Sequence, residues 1–401
     1  MRKLFAILCA LITILTAGSG SIAIGRYPVP DFTVKIAASA LDIGGTGVAY
    51  GRVIELRHNG AANGMLIAVY EDYSVYQDSA AHPVYSSSDG GRSWEAAAFI
   101  KDLAHSGECV VKWQPEIYEL PAAFGGMPEG TLLFAGVSID INLNKTTKLQ
   151  LYKSTDLGKT WGYLSTAATA GGLGSGIYEP ELQLTDSGVL ICYYSDETEK
   201  ETHSQRIVYT TSADGSNWSG AAEVVALTNQ GLRPGMPVVA RLADGSWFMT
   251  YEMIGLNGEV YYKKSPDGLH WGPPCLKGHL IYALERDNLS VKKYTLACTP
   301  YCAWTPFGKN GQGTIVVTGL FVRGGTALSG EGSDYFASSD GGETWSRVRH
   351  PLPYRSGVDH AAYSNSLSFS ADGKKMYSIN SVPESDSDKC FITFASTNLD
   401  G

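Results

Sequence analysis

Glu179 and Glu252 are the two acidic residues whose positions best suit acid–base chemistry in this 401-residue sequence. Glu179 begins a short run of alternating apolar residues, and Glu252 directly follows the apolar run 247–251. If such runs pair as antiparallel strands, the start of a first strand and the end of a second strand lie at the same edge. One carboxylic acid that keeps its proton, beside one carboxylate that stays ionised, is the pair that glycoside hydrolysis requires.

The two-strand pattern that carries these residues occurs six times. Each copy has a short strand, a turn and a second strand of alternating apolar residues. The pattern predicts six hairpins, hence six blades of a β-propeller, with the first strands nearest a central axis. The first strands begin at Tyr50, Gln114, Glu179, Met236, Thr299 and Tyr363.

The position of Glu179 at a first-strand start predicts that neighbouring strands partly bury it and raise its pKa. Glu181 is the alternative, because strand alternation puts both side chains on the same side. We favour Glu179 because it lies nearer the predicted funnel mouth. Four other acids at strand ends are interpreted as solvated or salt-bridged surface groups: Glu71, Asp72, Asp196 and Glu197.

A second repeat, Ser-x-Asp-x-Gly-x-x-Trp, gives the spacing of the predicted blades. Asp and Ser can bond the backbone of the turn, Gly supplies a positive φ and Trp covers the turn, so the motif itself is structural. The intervals between its tryptophans, 67, 57, 53 and 74 residues, suit one four-stranded blade plus variable loops. Three full copies and two copies shorter by one residue end at Trp94, Trp161, Trp218, Trp271 and Trp345.

These repeats predict an all-β fold in which residues 22–401 form a single six-bladed β-propeller, the catalytic domain. The last blade runs out of chain after three strands. We therefore expect residues 32–38 to supply its fourth strand and to close the ring.

Residues 1–21 have the features of a secretory signal peptide, since Arg2 and Lys3 precede an apolar stretch that small residues follow. A membrane anchor is the alternative. The mature protein is expected to be secreted and extracellular, with no membrane association after cleavage. Six cysteines remain outside the signal, an even number that suits disulfides. Cys298 and Cys302 lack partners at zinc-site spacing, so neither a metal nor another cofactor is expected.

Charge and composition narrow the choice of partner. The formal net charge is −9 and no basic stripe is visible, which argues against nucleic acid. The 23 tyrosines suit stacking on sugar rings, although they suit ordinary strands equally well. We expect a monomer that binds an oligosaccharide or polysaccharide.

The repeated turn resembles the Asp-box of the sialidase superfamily. Within that superfamily, residues 177–182, 233–239 and 250–252 resemble the secreted exo-α-1,5-L-arabinanases of glycoside hydrolase family 93, and the similarity runs over nearly the whole mature chain. The resemblance implies an enzyme that releases arabinobiose from the non-reducing ends of α-1,5-L-arabinan, a plant cell-wall polysaccharide, with retention of configuration.

The resemblance also implies the roles of individual residues. Glu179 would be the general acid/base, Glu252 the nucleophile, and Tyr363 a catalytic residue beside the nucleophile. The substrate-binding residues are expected to be Arg52, Gln114, Tyr178, Arg233 and Tyr251.

Two other functions are compatible with the same fold. A sialidase holds the carboxylate of its substrate with three arginines, because guanidinium groups bind carboxylates in a bidentate manner. A non-catalytic carbohydrate-binding propeller would keep the aromatic funnel but would not need paired carboxylates. The arginines that could serve a sialidase are Arg26, Arg52, Arg233, Arg323 and Arg355.

Overall fold

The computed structural model describes residues 29–38, 47–72, 81–104, 109–140, 145–286, 290–308, 311–358 and 360–399. The predicted signal peptide and Arg26 lie outside these residues. The described chain is all-β apart from one short 3₁₀ helix, Gly60–Ala62. No helix in these ranges is long and apolar enough to cross a bilayer.

Twenty-seven strands are present in the described residues. In chain order they are β1 (Phe32–Ala38), β2 (Val48–Glu55), β3 (Leu66–Asp72), β4 (Ala81–Ser87), β5 (Glu95–Lys101), β6 (Cys109–Glu119), β7 (Leu132–Asp140), β8 (Thr147–Ser154), β9 (Gly162–Ala170), β10 (Ile177–Leu184), β11 (Leu190–Asp196), β12 (Arg206–Ser212), β13 (Ala222–Ala226), β14 (Arg233–Arg241), β15 (Trp247–Ile254), β16 (Glu259–Ser265), β17 (His279–Leu280), β18 (Tyr282–Arg286), β19 (Val291–Ala297), β20 (Tyr301–Thr305), β21 (Thr314–Thr318), β22 (Phe321–Arg323), β23 (Asp334–Ser338), β24 (Ser346–Arg349), β25 (Ser366–Phe369), β26 (Lys375–Pro383) and β27 (Cys390–Asn398).

The strands form antiparallel sheets arranged as a β-propeller. Five sheets have four strands each: β2 to β5, β6 to β9, β10 to β13, β20-β21-β23-β24, and β25-β26-β27-β1; one further sheet has seven strands. The first strands, β2, β6, β10, β14, β20 and β25, contact one another in a closed ring. Apolar side chains pack between neighbouring sheets: Leu133 and Val137 of β7, for example, lie in one buried cluster with Leu182 and Leu190 of the next sheet.

The first strand of the chain closes the ring. β1 pairs antiparallel with β27, from Phe32 opposite Ser396 to Ala38 opposite Phe391. Phe32 also contacts the ring of Phe394, at a centroid distance of 6.2 Å. The prediction that residues 32–38 complete the last sheet is confirmed.

The seven-stranded sheet differs from the predicted repeat. β14, β15, β16 and the short β17 follow the usual order, because β17 pairs with β16. β19 also pairs with the start of β16 and carries β18 on one side and β22 on the other. The three strands β18, β19 and β22 are called the extension below. The hairpin β18–β19 lacks the repeated turn motif, so the motif spacing did not reveal it.

Each copy of the turn motif joins the third and fourth strands of a sheet, as the first copy illustrates. The Ser87 hydroxyl accepts a hydrogen bond from the amide of Gly91 (2.9 Å) and donates one to Asp89 (2.8 Å), and the Trp94 indole donates to the Gly91 carbonyl (3.0 Å). Gly91 has a φ of 90°, and a Cβ there would lie 2.2 Å from the ring of Phe394. Glycine therefore allows both the turn and the close approach of the last sheet.

The expected disulfides are absent among the described cysteines, and the side chain of Cys109 lies outside the described residues. Buried cysteines here act as small apolar side chains: the thiol of Cys302 packs within the sheets and donates to the Val238 carbonyl at 3.3 Å. The described cysteines with a free thiol include Cys192, Cys275, Cys298 and Cys302.

Candidate active site

A cavity of about 660 Å³ opens where the first strands of the ring begin. Most of the predicted site residues line it: Gln114, Tyr178, Glu179, Arg233 and Tyr363. Glu252 is not one of the lining residues; it is 7% exposed near the end of the second strand β15, and its charge raises the pKa of both Glu179 and Tyr363. The ring of first strands thus brings together residues that are far apart in the sequence.

The first strands share a strained backbone conformation at the cavity. Non-glycine residues there adopt a left-handed backbone, which costs on the order of 1 kcal/mol each. In four of these strands the pairing register also shifts at this residue, which marks a β-bulge. The φ angles are 54° at Tyr50, 55° at Gln114, 59° at Glu179, 56° at Met236 and 42° at Thr299.

The strained residues are tied to the preceding sheet through their backbone amides. The Gln114 amide donates to the Glu71 carboxylate, and the Glu179 amide donates to the Gln114 side-chain oxygen at 3.0 Å. The Thr299 amide donates to Glu252 at 2.8 Å. These hydrogen bonds therefore hold the Glu71 and Glu252 carboxylates in place as well as the first strands.

The surroundings of Glu179 give its carboxyl a pKa that suits a general acid. Its carboxylate accepts hydrogen bonds from the Gln114 side-chain amide and from the Met236 amide, both at 3.3 Å. Burial raises the pKa of Glu179 to about 7, the Ser195 hydroxyl lowers it, and the charge of Glu252 raises it. Near neutral pH a substantial fraction of Glu179 therefore keeps its proton.

Glu252 differs from Glu179 because no neighbouring acid among the described residues contributes to raising its pKa. Burial raises the pKa of the Glu252 carboxyl, while the Thr299 amide and the Arg233 guanidinium lower it. Arg233 is held in place by Glu197, whose carboxylate accepts from its guanidinium at 3.0 Å. The charge of Arg233 thus lowers the pKa of both glutamates, whereas the Thr299 amide donates a hydrogen bond to Glu252 alone.

Tyr363 lies among aromatic and acidic neighbours. Its ring packs against Tyr50, with centroids 6.1 Å apart, and meets His360 edge-on at 5.6 Å. Burial raises the pKa of Tyr363 far above its ordinary value, and the charges of Glu179 and Glu252 raise it further. The tyrosinate form that nucleophilic attack needs is therefore strongly disfavoured.

Glu181 lies in a different environment from Glu179, because the bulge between Tyr178 and Glu181 breaks the expected alternation. Its carboxylate accepts from Gln183 (3.1 Å) and from the Val239 amide (3.3 Å). With Glu116 it lines a second cavity of about 320 Å³ on the axis.

Two of the residues expected to bind substrate do not line the active-site cavity. Arg52 is 4% exposed; its guanidinium bonds Glu116 at 3.2 Å and stacks over the ring of Tyr50 at 4.3 Å. Tyr251 is fully buried, and its hydroxyl donates to the Lys277 carbonyl at 2.7 Å. Strand alternation explains Tyr251, because its side chain lies on the opposite face of β15 from that of Glu252, whose carboxylate accepts from the Thr299 amide. Arg52 lies beyond the bulge, one layer below the cavity.

Sequence reasoning missed two buried acids of this cavity, Glu71 and Glu197, which it placed at the surface. Glu71 could have been found by aligning the hairpins. It lies opposite Ala49 in its sheet as Glu252 lies opposite Gly235, so the two carboxylates occupy equivalent positions. Asp196 and Glu197 each form an ion pair, with Arg206 and with Arg233 respectively, as expected of salt-bridged groups, although both are buried.

A propeller cavity with a glutamate of raised pKa near a second, buried glutamate is the arrangement of a glycoside hydrolase site. No family model matches the sequence, and no curated protein matches it.

Solved structures do match the fold. A GH93 α-L-arabinofuranosidase of Fusarium graminearum, solved with arabinobiose, is 28% identical, with a TM-score of 0.74 over 92% of this chain and 98% of the other. A Penicillium chrysogenum α-L-arabinanase complexed with arabinobiose is 27% identical, with a TM-score of 0.76 over 93% and 99%. The NanB sialidase of Streptococcus pneumoniae, 10% identical with a TM-score of 0.55 over 91% and 70%, shares the fold. The predicted similarity to family 93 and to sialidase-like propellers is confirmed.

Proposed function

We propose that this protein is a secreted, retaining glycoside hydrolase that releases arabinobiose from the non-reducing end of α-1,5-L-arabinan. The unequal pair of Glu179 and Glu252 at the cavity carries the proposal. The similarity to two arabinan-degrading enzymes over more than nine-tenths of the chain supports the substrate.

In this proposal Glu179 protonates the leaving oxygen and Glu252 attacks the anomeric carbon. The sugar ester on Glu252 is then hydrolysed by a water molecule that Glu179 activates as a base. Retention requires carboxyl groups about 5–5.5 Å apart, the separation that we expect for this pair. Tyr363, Gln114, Tyr178 and Arg233 would contact the sugar.

The architecture proposed with this function is a six-bladed propeller with Asp-box turns. The seven-stranded sheet would be the blade that carries the extension. The signal-like residues 1–21 support export, and we propose that the mature protein is an extracellular monomer.

Sialidase activity is disfavoured by the charges in the cavity. Arg233 is the one arginine among the described residues that line it, and it already pairs with Glu197. Arg355 pairs with Asp388 at the surface, and Arg323 lies on the extension. A site with one paired guanidinium is poorly suited to hold a substrate carboxylate.

Product analysis tests the proposal. The purified protein is incubated with linear arabinan, with branched arabinan and with a panel of sialosides, and products are followed by chromatography and by NMR of the anomeric proton. We expect arabinobiose as the first product from linear arabinan, initially in the α configuration. Glu252→Gln should abolish its release.

Release of sialic acid, or an initial β-anomer, would contradict the proposal. No product from any of these polymers, together with tight binding of arabino-oligosaccharides, would instead indicate a carbohydrate-binding propeller.

A further inference from the structure

The extension presents an exposed face that the proposed hydrolysis does not use. The strand register puts Tyr282 opposite Thr295, Leu284 opposite Lys293 and Arg286 opposite Val291. Directly paired residues share one face of a sheet. β22 continues this face, because Arg323 lies opposite Thr295 and Phe321 opposite Ala297. The extension face is defined here by Tyr282, Leu284, Val291, Lys293, Phe321 and Arg323.

The extension face is apolar although folding does not require it to be. The opposite face of the same strands supplies the core, where Ala283, Tyr294 and Leu296 are buried and Val322 packs against them. The outer side chains remain in solvent: Tyr282 is 42% exposed, Leu284 53%, Val291 54% and Phe321 36%. Contiguous exposed apolar side chains of this kind mark binding surfaces.

The charges on this face are mainly positive, in a protein with a formal net charge of −9. Lys293 and Arg323 lie on it, Arg286 lies opposite Val291 beside them, and the Lys293 ammonium sits 4.7 Å from the centre of the Tyr282 ring. Of the nearby acids, Glu285 turns to the other side and bonds Arg347 at 3.1 Å. Glu259 accepts a hydrogen bond from Thr295 at the inner end of the face. A partner with negative charge therefore fits better than a neutral one.

The extension face adjoins the candidate active site. β19 ends at Ala297, and only two residues further on the Thr299 amide donates to Glu252. The chain that leads into β22 joins the same place, since the Leu320 amide donates to the Cys298 carbonyl at 2.9 Å. A polymer that enters the cavity could therefore reach the extension face.

We propose that the extension face binds an acidic polysaccharide, a chain of sugar rings with uronate carboxylates. Tyr282 stacks on a sugar ring, while Lys293 and Arg323 bind the carboxylates. Such binding holds the enzyme on a polymer that carries uronate segments as well as the arabinan it cleaves. The inference rests on the proposed function, because it is a polysaccharide hydrolase that meets its substrate as part of a larger polymer.

Affinity electrophoresis with polygalacturonate in the gel tests the binding, with neutral linear arabinan as the second gel. The variant is Tyr282→Ala/Lys293→Ala in the full protein. The matched control is Phe99→Ala/Lys101→Ala, which removes an exposed aromatic residue and a lysine from β5 of another sheet. Hydrolysis of a short arabino-oligosaccharide is measured in parallel.

We expect polygalacturonate to retard the wild type and the control, and salt to weaken this retardation because it screens exposed charges. The extension variant should bind at least ~10-fold more weakly, the loss expected for an aromatic contact and a charge contact together. Its cleavage of the short oligosaccharide should be unchanged.

The inference is overturned if polygalacturonate does not retard the wild type, or if the variant is retarded as strongly as the control. It is also overturned if sedimentation shows a dimer that the variant abolishes, because the face would then bind a second copy. Retained polygalacturonate binding without arabinan cleavage would refute the proposed activity alone.

Discussion

At the scale of single residues, the proposed hydrolysis depends on the difference between Glu179 and Glu252. Glu179 is half-buried and Glu252 is buried, and desolvation raises the pKa of each carboxyl. Each carboxylate accepts a backbone amide, from Met236 and from Thr299 respectively, but only Glu179 has its pKa raised further by a neighbouring acid. This asymmetry separates an acid from a nucleophile without any metal ion being invoked.

The pH dependence of kcat/KM follows from the raised pKa of Glu179, which lies at about 7. A general acid works only while protonated, so activity on arabinan should fall as the pH rises through about 7. Glu179→Gln should lower kcat/KM by about 10²–10⁴-fold and remove this alkaline limb. The measurement is a pH profile of kcat/KM on arabino-oligosaccharides.

Glu181→Gln is the matched control for this experiment, since it makes the same change two residues along β10. It should keep the alkaline limb. If Glu181→Gln removes the limb and Glu179→Gln keeps it, the acid has been identified wrongly.

At the scale of strands, an axial ion cluster holds the first strands together beneath the cavity. Arg52 of β2 bonds Glu116 of β6 and the Ser364 hydroxyl just before β25. Burial raises the pKa of Glu116 to about 7 although Arg52 lowers it. Arg52 therefore links three of the first strands beneath the cavity.

Arg52→Met should destabilise the fold by about 3–5 kcal/mol at pH 8, because it leaves Glu116 buried without its partner. At pH 5 the loss should be smaller. Glu116 has a raised folded pKa, so it is mostly protonated there and its unpaired charge is removed. Urea unfolding at the two pH values measures both quantities.

The double variant Arg52→Met/Glu116→Gln removes the charge as well as its partner and should recover most of the stability at pH 8. Two results would contradict this role of Arg52. One is a loss of unfolding free energy in Arg52→Met that is equal at both pH values, and the other is a raised KM with unchanged stability.

The repeats in the sequence predict the strands well, because period-two alternation and the turn motif directly reflect pairing and reversal. They do not predict the bulges. The alternation of residues around Glu179 and Glu181 looks regular. The backbone of Glu179 is left-handed, however, so its side chain lies at the active-site cavity while that of Glu181 lies at the second cavity on the axis. The proline after Gln114, Glu179, Met236 and Thr299 is a local signal of these interruptions, since it removes a ladder donor.

At the scale of the whole molecule, β1 closes the ring and covers the edge of β27. The position of β1 was predictable because the last hairpin lacks a fourth strand in the sequence. The position of the extension was not predictable. Its strand β22 pairs with β19 although β22 follows a strand of the neighbouring sheet, and such a long-range pairing leaves no local pattern in the sequence.

Deletion of residues 1–38 should expose the backbone of β27 and the apolar cluster that Phe32 and Ile36 cover. We expect the Tm to fall by about 5 °C or more and the protein to aggregate. Calorimetry and size-exclusion chromatography check this, with deletion of residues 1–28 as the control. Equal stability of the two truncated proteins would contradict the closing role of β1.

Mass spectrometry can identify the nucleophile and so decide whether Glu252 attacks the sugar. The protein is treated with an activated 2-fluoro arabinobioside, which forms a glycosyl ester but hydrolyses it slowly, and is then digested to locate the adduct. The account predicts one adduct, on Glu252, with Tyr363 unmodified because its ionised form is disfavoured. An adduct on Tyr363 would mean that the site works as a tyrosine-dependent sialidase does, and product formation with no adduct at all would indicate direct attack by water.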